Sequence, residues 1–205
     1  ACAEIEKGAA VILDCKTGEI LASASFPAVD PNDLAACMEN EDAPFVNRAL
    51  CAYTPGSVFK LICAASALEC GIDYKEVYTC TGSIVVDGLT ITCYGGKAHG
   101  EVNLHTALRS SCNGYFIQLA QKLGAEKILS MAEKLGFGTS VLLADNLETA
   151  AGSLSNAQAL KNARALALFS FGQGETTVSP LNLAAAVNAI AADGIYMTPR
   201  LVYGT

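Results

Sequence analysis

The segment from Ser57 to Gly71 is apolar on almost every side when it is placed on a helix, and this constrains the fold more than any other part of the sequence. A helix that is apolar on all faces must lie in the middle of a domain. A Pro-Gly pair precedes the segment, and Gly71 is the residue type that commonly ends a helix. Lys60 is the only formal charge between Arg48 and Glu69. We therefore expect a central buried helix that carries one buried lysine.

Ser57 and Lys60 are three residues apart, so on a helix their side chains lie on one face and can meet. Burial disfavours a charged ammonium, and the positive end of the helix dipole acts in the same direction, so this lysine should lose its proton more easily than in water. A neutral lysine beside a serine hydroxyl is a competent general base for acyl transfer. The alternative is that Ser57 only caps the helix while Lys60 extends to solvent, since short motifs recur by chance.

The composition is that of a compact globular chain. Its 205 residues are 52% apolar and only 16% charged, enough for one sizeable domain, which we expect to span residues 1–205. A net charge of -7 and the absence of a basic run argue against nucleic acid as a partner. No stretch approaches the ~18 apolar residues of a transmembrane helix, and the N-terminus lacks a secretory-signal pattern. We therefore expect neither an anchor nor a signal within this chain.

Turn and helix signals predict an α+β arrangement that is dominated by helices. Asp14-Cys-Lys-Thr-Gly18 predicts a tight turn between two β-prone runs, 9–13 and 19–25. Asp87-Gly88 predicts a second hairpin within 79–92, and the Pro-, Asp- and Asn-rich stretch 26–47 predicts an irregular loop. Further helices are expected near residues 104–109, 114–123, 125–135, 163–169 and 180–192.

Nine cysteines are spread through the chain, and none has the C-x-x-C spacing typical of a zinc site. Two histidines, His99 and His105, add few further ligands. Cys80 and Cys93 flank an alternating segment and could face each other across a hairpin. The favoured interpretation is free thiols that pack as small core residues, which leaves the redox compartment undecided. The sequence therefore predicts no metal site.

Three sequence blocks place the Ser57–Lys60 pair in a longer pattern. Asn47-Arg-Ala-Leu50 and Tyr53-Thr-Pro-Gly-Ser-Val-Phe-Lys60 come first, and Ser111-Cys-Asn113 follows between two expected helices. These blocks resemble the first and second signature motifs of class B penicillin-binding proteins. The resemblance covers essentially the whole chain, because further blocks follow the family's order at 14–22, 93–100, 107–113, 135–138, 171–174 and 179–184.

The resemblance implies a β-lactamase/transpeptidase-like fold and serine acyl transfer on the D-Ala-D-Ala ends of peptidoglycan stem peptides. Ser57 would attack the carbonyl carbon after giving its proton to Lys60. Ser111 would relay a proton to the leaving D-Ala, and Asn113 would bind the substrate amide and help to hold Lys60. β-Lactam antibiotics would react as mimics of the substrate and remain as stable acyl-enzymes.

The resemblance also implies the surroundings of this chemistry. The loop that contains Gly172 and Gln173 would line the site and contact the substrate. Neither a metal nor another cofactor is implied. The parent protein is expected to be membrane-anchored, with this domain on the extracytoplasmic face of the bacterial cell membrane.

The family's third motif, Lys-Thr/Ser-Gly on a strand beside the active site, is absent from its expected place. Lys16-Thr17-Gly18 matches its letters but lies in the turn of the first hairpin, where turn geometry explains the glycine. We expect the true motif and the strands that complete the sheet to lie beyond Thr205. Without them an oxyanion-hole donor is missing, which costs on the order of a hundredfold in rate, and sheet edges stay unpaired. The chain by itself is therefore expected to acylate weakly or not at all and to self-associate.

Three other functions remain as alternatives. A class A serine β-lactamase would need Glu-x-x-Leu-Asn, and the nearest stretch, Val178-Ser-Pro-Leu-Asn182, has Val in the Glu position. A β-lactam-sensing receptor domain shares Ser-x-x-Lys, so the motif alone does not exclude it. A truncated, catalytically inactive relative with an interaction role is the third. The blocks at 47–50 and 171–174 favour the transpeptidase.

Overall fold

The described part of the structure, a computed structural model, covers residues 5–201 and has the expected α+β composition. Every pair of strands in it is antiparallel, in four separate two-stranded sheets. The strands are β1 Gly8–Leu13, β2 Ile20–Phe26, β3 Tyr78–Cys80, β4 Ser83–Val86, β5 Leu89–Thr92, β6 Gly100–Val102, β7 Leu142–Ala144 and β8 Leu147–Glu148. The helices are α1 Leu34–Glu39, α2 Lys60–Glu69, α3 Leu104–Arg109, α4 Asn113–Leu123, α5 Ala125–Lys134, α6 Ala163–Phe169 and α7 Pro180–Ala191.

The chain folds into two compact units, each built from separate stretches of sequence. Within the described range, the first unit contains residues 5–53, the stretch Leu135–Gly152 and residues 177–201. The second contains Thr54–Lys134 and Ser153–Thr176. The single domain over residues 1–205 remains a prediction.

The first unit is organised around the predicted N-terminal hairpin, in which β1 pairs with β2. One carboxylate oxygen of Asp14 accepts hydrogen bonds from the backbone N–H groups of Lys16 and Thr17, each at 2.8 Å. Gly18 follows with φ of 72°, a conformation that costs glycine little. The Lys16-Thr17-Gly18 letters are therefore accounted for by a side-chain-stabilised turn.

Helix α7 packs against β1 in this unit and begins as its sequence predicts. Ser179 caps the helix by accepting from the backbone N–H of Asn182, and Pro180 occupies the first helical position. Asn182 is fully buried, and its amide donates to the carbonyl oxygens of Gly136 and Thr139 at 3.3 and 2.8 Å. A buried amide of this kind fixes the loop before β7 to the start of the helix.

The second unit is built around α2, the helix expected from the apolar segment. Its buried positions are Lys60, Ile62, Cys63, Ala64, Ser66 and Ala67, and it packs against α3, α4 and α5. The expectation of burial on every side is wrong at the end of the helix, where Leu68 is 54% exposed. Lys60 is only 1% exposed, so the predicted buried lysine is confirmed.

One local prediction needed correction. The stretch 26–47 is not wholly irregular, because Asp33 caps the short helix α1 through the backbone N–H of Ala36. The second hairpin predicted within 79–92 is confirmed, because β4 and β5 pair there across the turn at Asp87-Gly88. Strand β3, which reaches into the start of this stretch, pairs with β6, a distant segment that sequence periodicity could not identify.

Among residues 5–201, no helix is both long enough and apolar enough to cross a bilayer.

Candidate active site

The Ser57–Lys60 pair lies where an irregular turn enters the central helix. Residues Gly56–Phe59 form a turn of 3-10 helix, and Lys60 is the first residue of α2. The tighter turn brings the Nζ atom of Lys60 to 3.1 Å from the hydroxyl oxygen of Ser57. Ser57 is exposed while Lys60 is buried, so the hydroxyl is accessible and the amine is shielded behind it. Ser57 lies inside the 3-10 turn, while Pro55 and Phe59 occupy the capping positions of that turn and of α2, so Ser57 is not the helix cap.

Three further polar atoms surround the amine of Lys60. The amide oxygen of Asn113 lies at 2.7 Å from Nζ, and the carbonyl oxygen and hydroxyl oxygen of Ser111 each lie at 2.8 Å. An ammonium group has three N–H donors, so it cannot donate to all four neighbours at once. Two of these neighbours, the Ser111 carbonyl and the Asn113 amide oxygen, can only accept. A neutral amine gives its two protons to them and keeps one lone pair, which can accept from one hydroxyl at a time, that of Ser57 or that of Ser111.

Burial lowers the pKa of Lys60 from 10.5 to about 8. The cause is the loss of water around the charged form, and negative charge on nearby cysteines would act in the opposite direction. The aromatic rings of Phe116 and Phe171 both lie close to the Lys60 amine, and each ring centroid is 5.9 Å from Nζ. An appreciable fraction of Lys60 is therefore neutral near physiological pH and can act as a base.

The turn between α3 and α4 positions the second motif. Ser111 has φ of 51°, a left-handed conformation that a non-glycine residue adopts only when its surroundings hold it there. This conformation aims both its carbonyl and its hydroxyl at Lys60. Asn113 begins α4, and its amide nitrogen donates to the carbonyl of Thr92 in β5 at 2.8 Å. Because that carbonyl can only accept, the amide oxygen of Asn113 must face Lys60.

The loop after α6 packs directly against the turn that carries Ser57. The backbone N–H of Gly56 donates to the carbonyl of Gly172 at 3.0 Å. Gly172 has φ of 71°, and a Cβ atom there would lie 2.2 Å from the Gly56 carbonyl oxygen. The predicted loop residue Gly172 is thus held against the turn that carries Ser57, while the exposed side chain of Gln173 lines the cavity described below.

An open cavity of about 400 Å³ lies over these groups. Its lining includes Ser57, Thr92, Tyr94, Ser111, Asn113 and Gln173. Four of the six residues predicted from the sequence therefore face one cavity, and the other two, Lys60 and Gly172, lie behind it. Sequence reasoning missed Thr92 and Tyr94, because a backbone carbonyl and an exposed aromatic ring leave no motif in the sequence.

A second cluster of reactive side chains lies beside the Ser111–Asn113 turn. Cys80, Cys93, His99 and Cys112 bring three sulfurs and one ring nitrogen within 4.8 Å of one another. The proximity of Cys80 and Cys93 was predicted, and their sulfurs are 3.7 Å apart as free thiols. The full set was missed, because these ligands come from four separate segments. Of the eight cysteines in the described range, five are buried as expected, while Cys2 lies outside that range.

Comparisons with known proteins agree with this geometry. Residues 8–205 match the family model for the penicillin-binding protein transpeptidase domain. The chain is 36% identical over 214 residues to peptidoglycan D,D-transpeptidase PbpA of Mycobacterium tuberculosis. That match covers 96% of this chain but only 43% of the relative, so the chain spans less than half the length of that protein.

Solved structures show the same fold. Penicillin-binding protein A from M. tuberculosis, solved as a penicillin G acyl-enzyme complex, matches with a TM-score of 0.87 and 33% identity, over 97% of this chain and 49% of that one. The D,D-transpeptidase domain of a peptidoglycan glycosyltransferase from Eggerthella lenta matches with a TM-score of 0.88 and 30% identity, over 96% and 52%. The predicted fold class is therefore confirmed, and the chain belongs to the transpeptidase-domain family of class B penicillin-binding proteins.

Proposed function

We propose that this chain carries the acylation site of a serine D,D-transpeptidase that cross-links peptidoglycan and is trapped by β-lactams. The observation that carries the proposal is the contact between Lys60 Nζ and Ser57 Oγ, at 3.1 Å, behind an accessible hydroxyl. Ser111 and Asn113 complete the same polar cluster from a separate segment. The M. tuberculosis relative named a peptidoglycan D,D-transpeptidase, and the penicillin G acyl-enzyme of penicillin-binding protein A, support the substrate and inhibitor classes.

In the acylation step, the Ser57 hydroxyl gives its proton to the neutral amine of Lys60 and its oxygen bonds to the carbonyl carbon of the penultimate D-Ala. When the tetrahedral intermediate collapses, the carbon–nitrogen bond breaks. Ser111 passes a proton from Lys60 to the leaving D-Ala amine, which its 2.8 Å contact with Nζ permits. An amine from a second stem peptide then attacks the ester carbonyl: the new amide bond forms, the bond to Ser57 Oγ breaks, and a proton from the amine returns to that oxygen.

Asn113 and the loop at 171–174 are proposed to bind the substrate chain. Asn113 holds Lys60 through its amide oxygen, and it lines the cavity where the substrate amide would lie. Gln173 offers an exposed amide at the same cavity. Gly172 contributes its backbone, because its carbonyl accepts from the N–H of Gly56 in the turn before Ser57.

The cellular setting follows from the reaction. Peptidoglycan is assembled outside the cytoplasmic membrane, so we place this domain on the extracytoplasmic face, in a membrane-anchored parent protein. No feature of residues 5–201 favours the sensor or the inactive relative over the transpeptidase, and the names of the relatives support the enzyme.

Replacement of Ser57 by alanine tests the nucleophile. Because weak acylation is expected of the chain by itself, the unaltered chain is incubated at length with excess penicillin G. It should slowly gain the mass of one intact penicillin, because β-lactam ring opening releases no group. Ser57→Ala should gain none, as measured by intact-protein mass spectrometry. Ser83→Ala, at an exposed serine on β4, is the matched control and should react normally. A persistent adduct on Ser57→Ala would assign the acyl group to another residue.

The acylation rate should depend on pH through Lys60. Because burial lowers its pKa to about 8, the reactive neutral form grows about tenfold for each pH unit below 8 and then saturates. The second-order rate constant for penicillin should follow this curve, with a plateau above pH ~9. Lys60→Arg should lose ~10²–10⁴-fold, since a guanidinium stays protonated. A rate that keeps rising tenfold per unit to pH ~10 would indicate a lysine with an ordinary pKa.

Alanine substitutions at two glycines of one loop distinguish the effect of close backbone packing from the effect of backbone strain. Gly172→Ala should slow acylation by about a hundredfold, because its Cβ would collide with the Gly56 carbonyl and displace the turn that holds Ser57. Gly174→Ala is the matched control. Gly174 also has positive φ, of 89°, but its nearest neighbour to a new Cβ is Leu168 at 4.0 Å. Equal losses in both variants would show that backbone strain, rather than this contact, controls the rate.

We further infer that the β1–β2 hairpin promotes self-association. This two-stranded sheet presents exposed apolar side chains, Ile12 at 58% and Leu21 at 60%, beside its strand edges. The purified chain should therefore form dimers or larger species at micromolar concentration in analytical ultracentrifugation. Leu21→Lys should shift it toward monomer, whereas Leu68→Lys, the same change on exposed helix surface, should not. A monomeric unaltered chain would contradict the inference.

A further inference from the structure

The cluster of Cys80, Cys93, His99 and Cys112 has the dimensions of a tetrahedral metal site. The sulfurs of Cys80 and Cys93 are 3.7 Å apart, and those of Cys93 and Cys112 are 3.9 Å apart. The Nδ1 atom of His99 is 3.5 Å from the sulfur of Cys80. In a tetrahedron with Zn–S bonds of ~2.3 Å and a Zn–N bond of ~2.0–2.1 Å, these separations are about 3.8 Å and about 3.6 Å. Three of the six ligand–ligand separations therefore match a tetrahedral zinc site, and all six lie within 4.8 Å.

Backbone pairing, rather than chance packing of small side chains, brings the four ligands together. Cys80 ends β3 and pairs with Gly100 in β6, which places the adjacent His99 beside it. The backbone N–H of Cys93 donates to the carbonyl of Gly82 at 2.9 Å, which draws the end of β5 toward β3. These backbone hydrogen bonds fix the positions of three ligands.

The loop between Cys93 and His99 packs closely on Gly82. A Cβ atom at that glycine would lie 2.5 Å from the carbonyl oxygen of Gly96, so the backbones meet without a side chain between them. Cys112 completes the set immediately before α4, and the same helix approaches Cys80 at Gly114, where a Cβ would lie 4.0 Å from the sulfur. A preorganised ligand set of this kind needs little rearrangement to bind an ion.

We propose that Cys80, Cys93, His99 and Cys112 bind one Zn²⁺ ion as a structural site. Three soft sulfur ligands and one imidazole in tetrahedral arrangement select zinc over the oxygen-preferring ions Mg²⁺ and Ca²⁺. On binding, the ion forms three Zn–S bonds and one Zn–N bond, and the thiol protons pass to solvent. No oxidant or reductant takes part.

The site is structural because it is closed. The three cysteines are between 0% and 3% exposed, and His99 is half-buried. Four protein ligands fill a tetrahedral coordination shell, which leaves no open position for a water or a substrate. The half-buried imidazole provides the side from which an ion could enter.

The competing arrangement of these thiols is a disulfide. The sulfurs of Cys80 and Cys93 are separated by 3.7 Å, whereas a disulfide bond measures about 2.05 Å. Cys112 lies 3.9 Å from Cys93, so a single disulfide would also leave one buried thiol and one imidazole with no shared partner. A metal ion uses all four groups at once.

Zinc here would stabilise the second motif of the active site. Cys112 is the residue between Ser111 and Asn113, and these two contact the amine of Lys60. Ser111 is held in a left-handed conformation that costs free energy unless its neighbours are fixed. A Zn–S bond to Cys112 would fix the middle of this three-residue turn. The metal would thus be a positioning element, with no part in the acyl transfer itself.

Metal content tests the proposal without reference to acylation. The reduced chain is stripped with a chelator under anaerobic conditions, supplied with Zn²⁺ and dialysed against metal-free buffer, and its zinc is then measured by plasma mass spectrometry. One zinc per chain is expected. Cys93→Ser and Cys112→Ser should each bind Zn²⁺ more than ~100-fold more weakly, because loss of a ligand exceeds the loss of an outer-shell partner. Cys37→Ser, at a buried thiol outside the cluster, and Cys70→Ser, at an exposed one, should retain one zinc.

A titration of the unaltered chain with Co²⁺ covers the case in which a variant fails to fold. Tetrahedral cobalt with thiolate ligands gives an intense sulfur-to-metal charge-transfer absorption, which Zn²⁺ should abolish stoichiometrically. Absence of this absorption, less than about a tenth of a zinc per reduced chain, or equal zinc affinity in Cys93→Ser and Cys112→Ser would each overturn the proposal. Oxidation of the reduced, zinc-supplied chain to a Cys80–Cys93 disulfide would do so as well.

Thermal stability tests whether the ion is structural. If zinc binds only the folded chain, saturation at about a thousand times Kd should raise Tm by on the order of 10 °C relative to the stripped chain. Cys112→Ser should show no such shift, while Cys70→Ser should show all of it. Stoichiometric zinc with an unchanged Tm would overturn the structural role.

Discussion

The buried amine of Lys60 is the interaction on which the second unit depends. An isolated ammonium group in the interior is so costly that proteins pair it, hydrogen-bond it or neutralise it. Here the side chain is 1% exposed, and two of those responses are combined: its pKa falls to about 8, and four polar atoms from three other residues converge on it. The groups that make the lysine tolerable in the interior are the groups to which we assign the proposed acyl-transfer chemistry.

The turn from Ser111 to Asn113 links the two polar clusters of this unit. Its outer residues point at Lys60, and its middle residue, Cys112, points at the other three potential metal ligands. Three consecutive residues must therefore satisfy two separate sets of contacts, one with Lys60 and one with the Cys/His cluster. The left-handed conformation of Ser111 is the local cost, and fixed partners on both sides of the turn are what hold it.

Gly172 and Gly56 contribute to the site through close backbone packing rather than through reactive side chains. The contact of Gly172 with Gly56 places the loop after α6 directly against the turn that carries Ser57. A side chain would hold the two backbones apart, so Gly172, which we propose as a substrate-binding residue, also sets the position of the turn that carries Ser57. Gln173, one residue later, is free to face the cavity.

The sequence by itself determined whatever depends on neighbours a few residues away. The three-residue spacing of Ser57 and Lys60, the turn at 14–18 and the cap and proline that begin α7 are local, and each was predicted correctly. The tertiary structure decided the pairing of β3 with β6, the place of Thr92 in the site and the Cys/His cluster. The ligands of that cluster lie 13, 6 and 13 positions apart along the chain, so no local pattern marks them. Only the folding of four segments onto one another brings these side chains close enough to bind one ion. The sequence could not predict this, because a residue's identity does not reveal which distant segment its backbone will pair with.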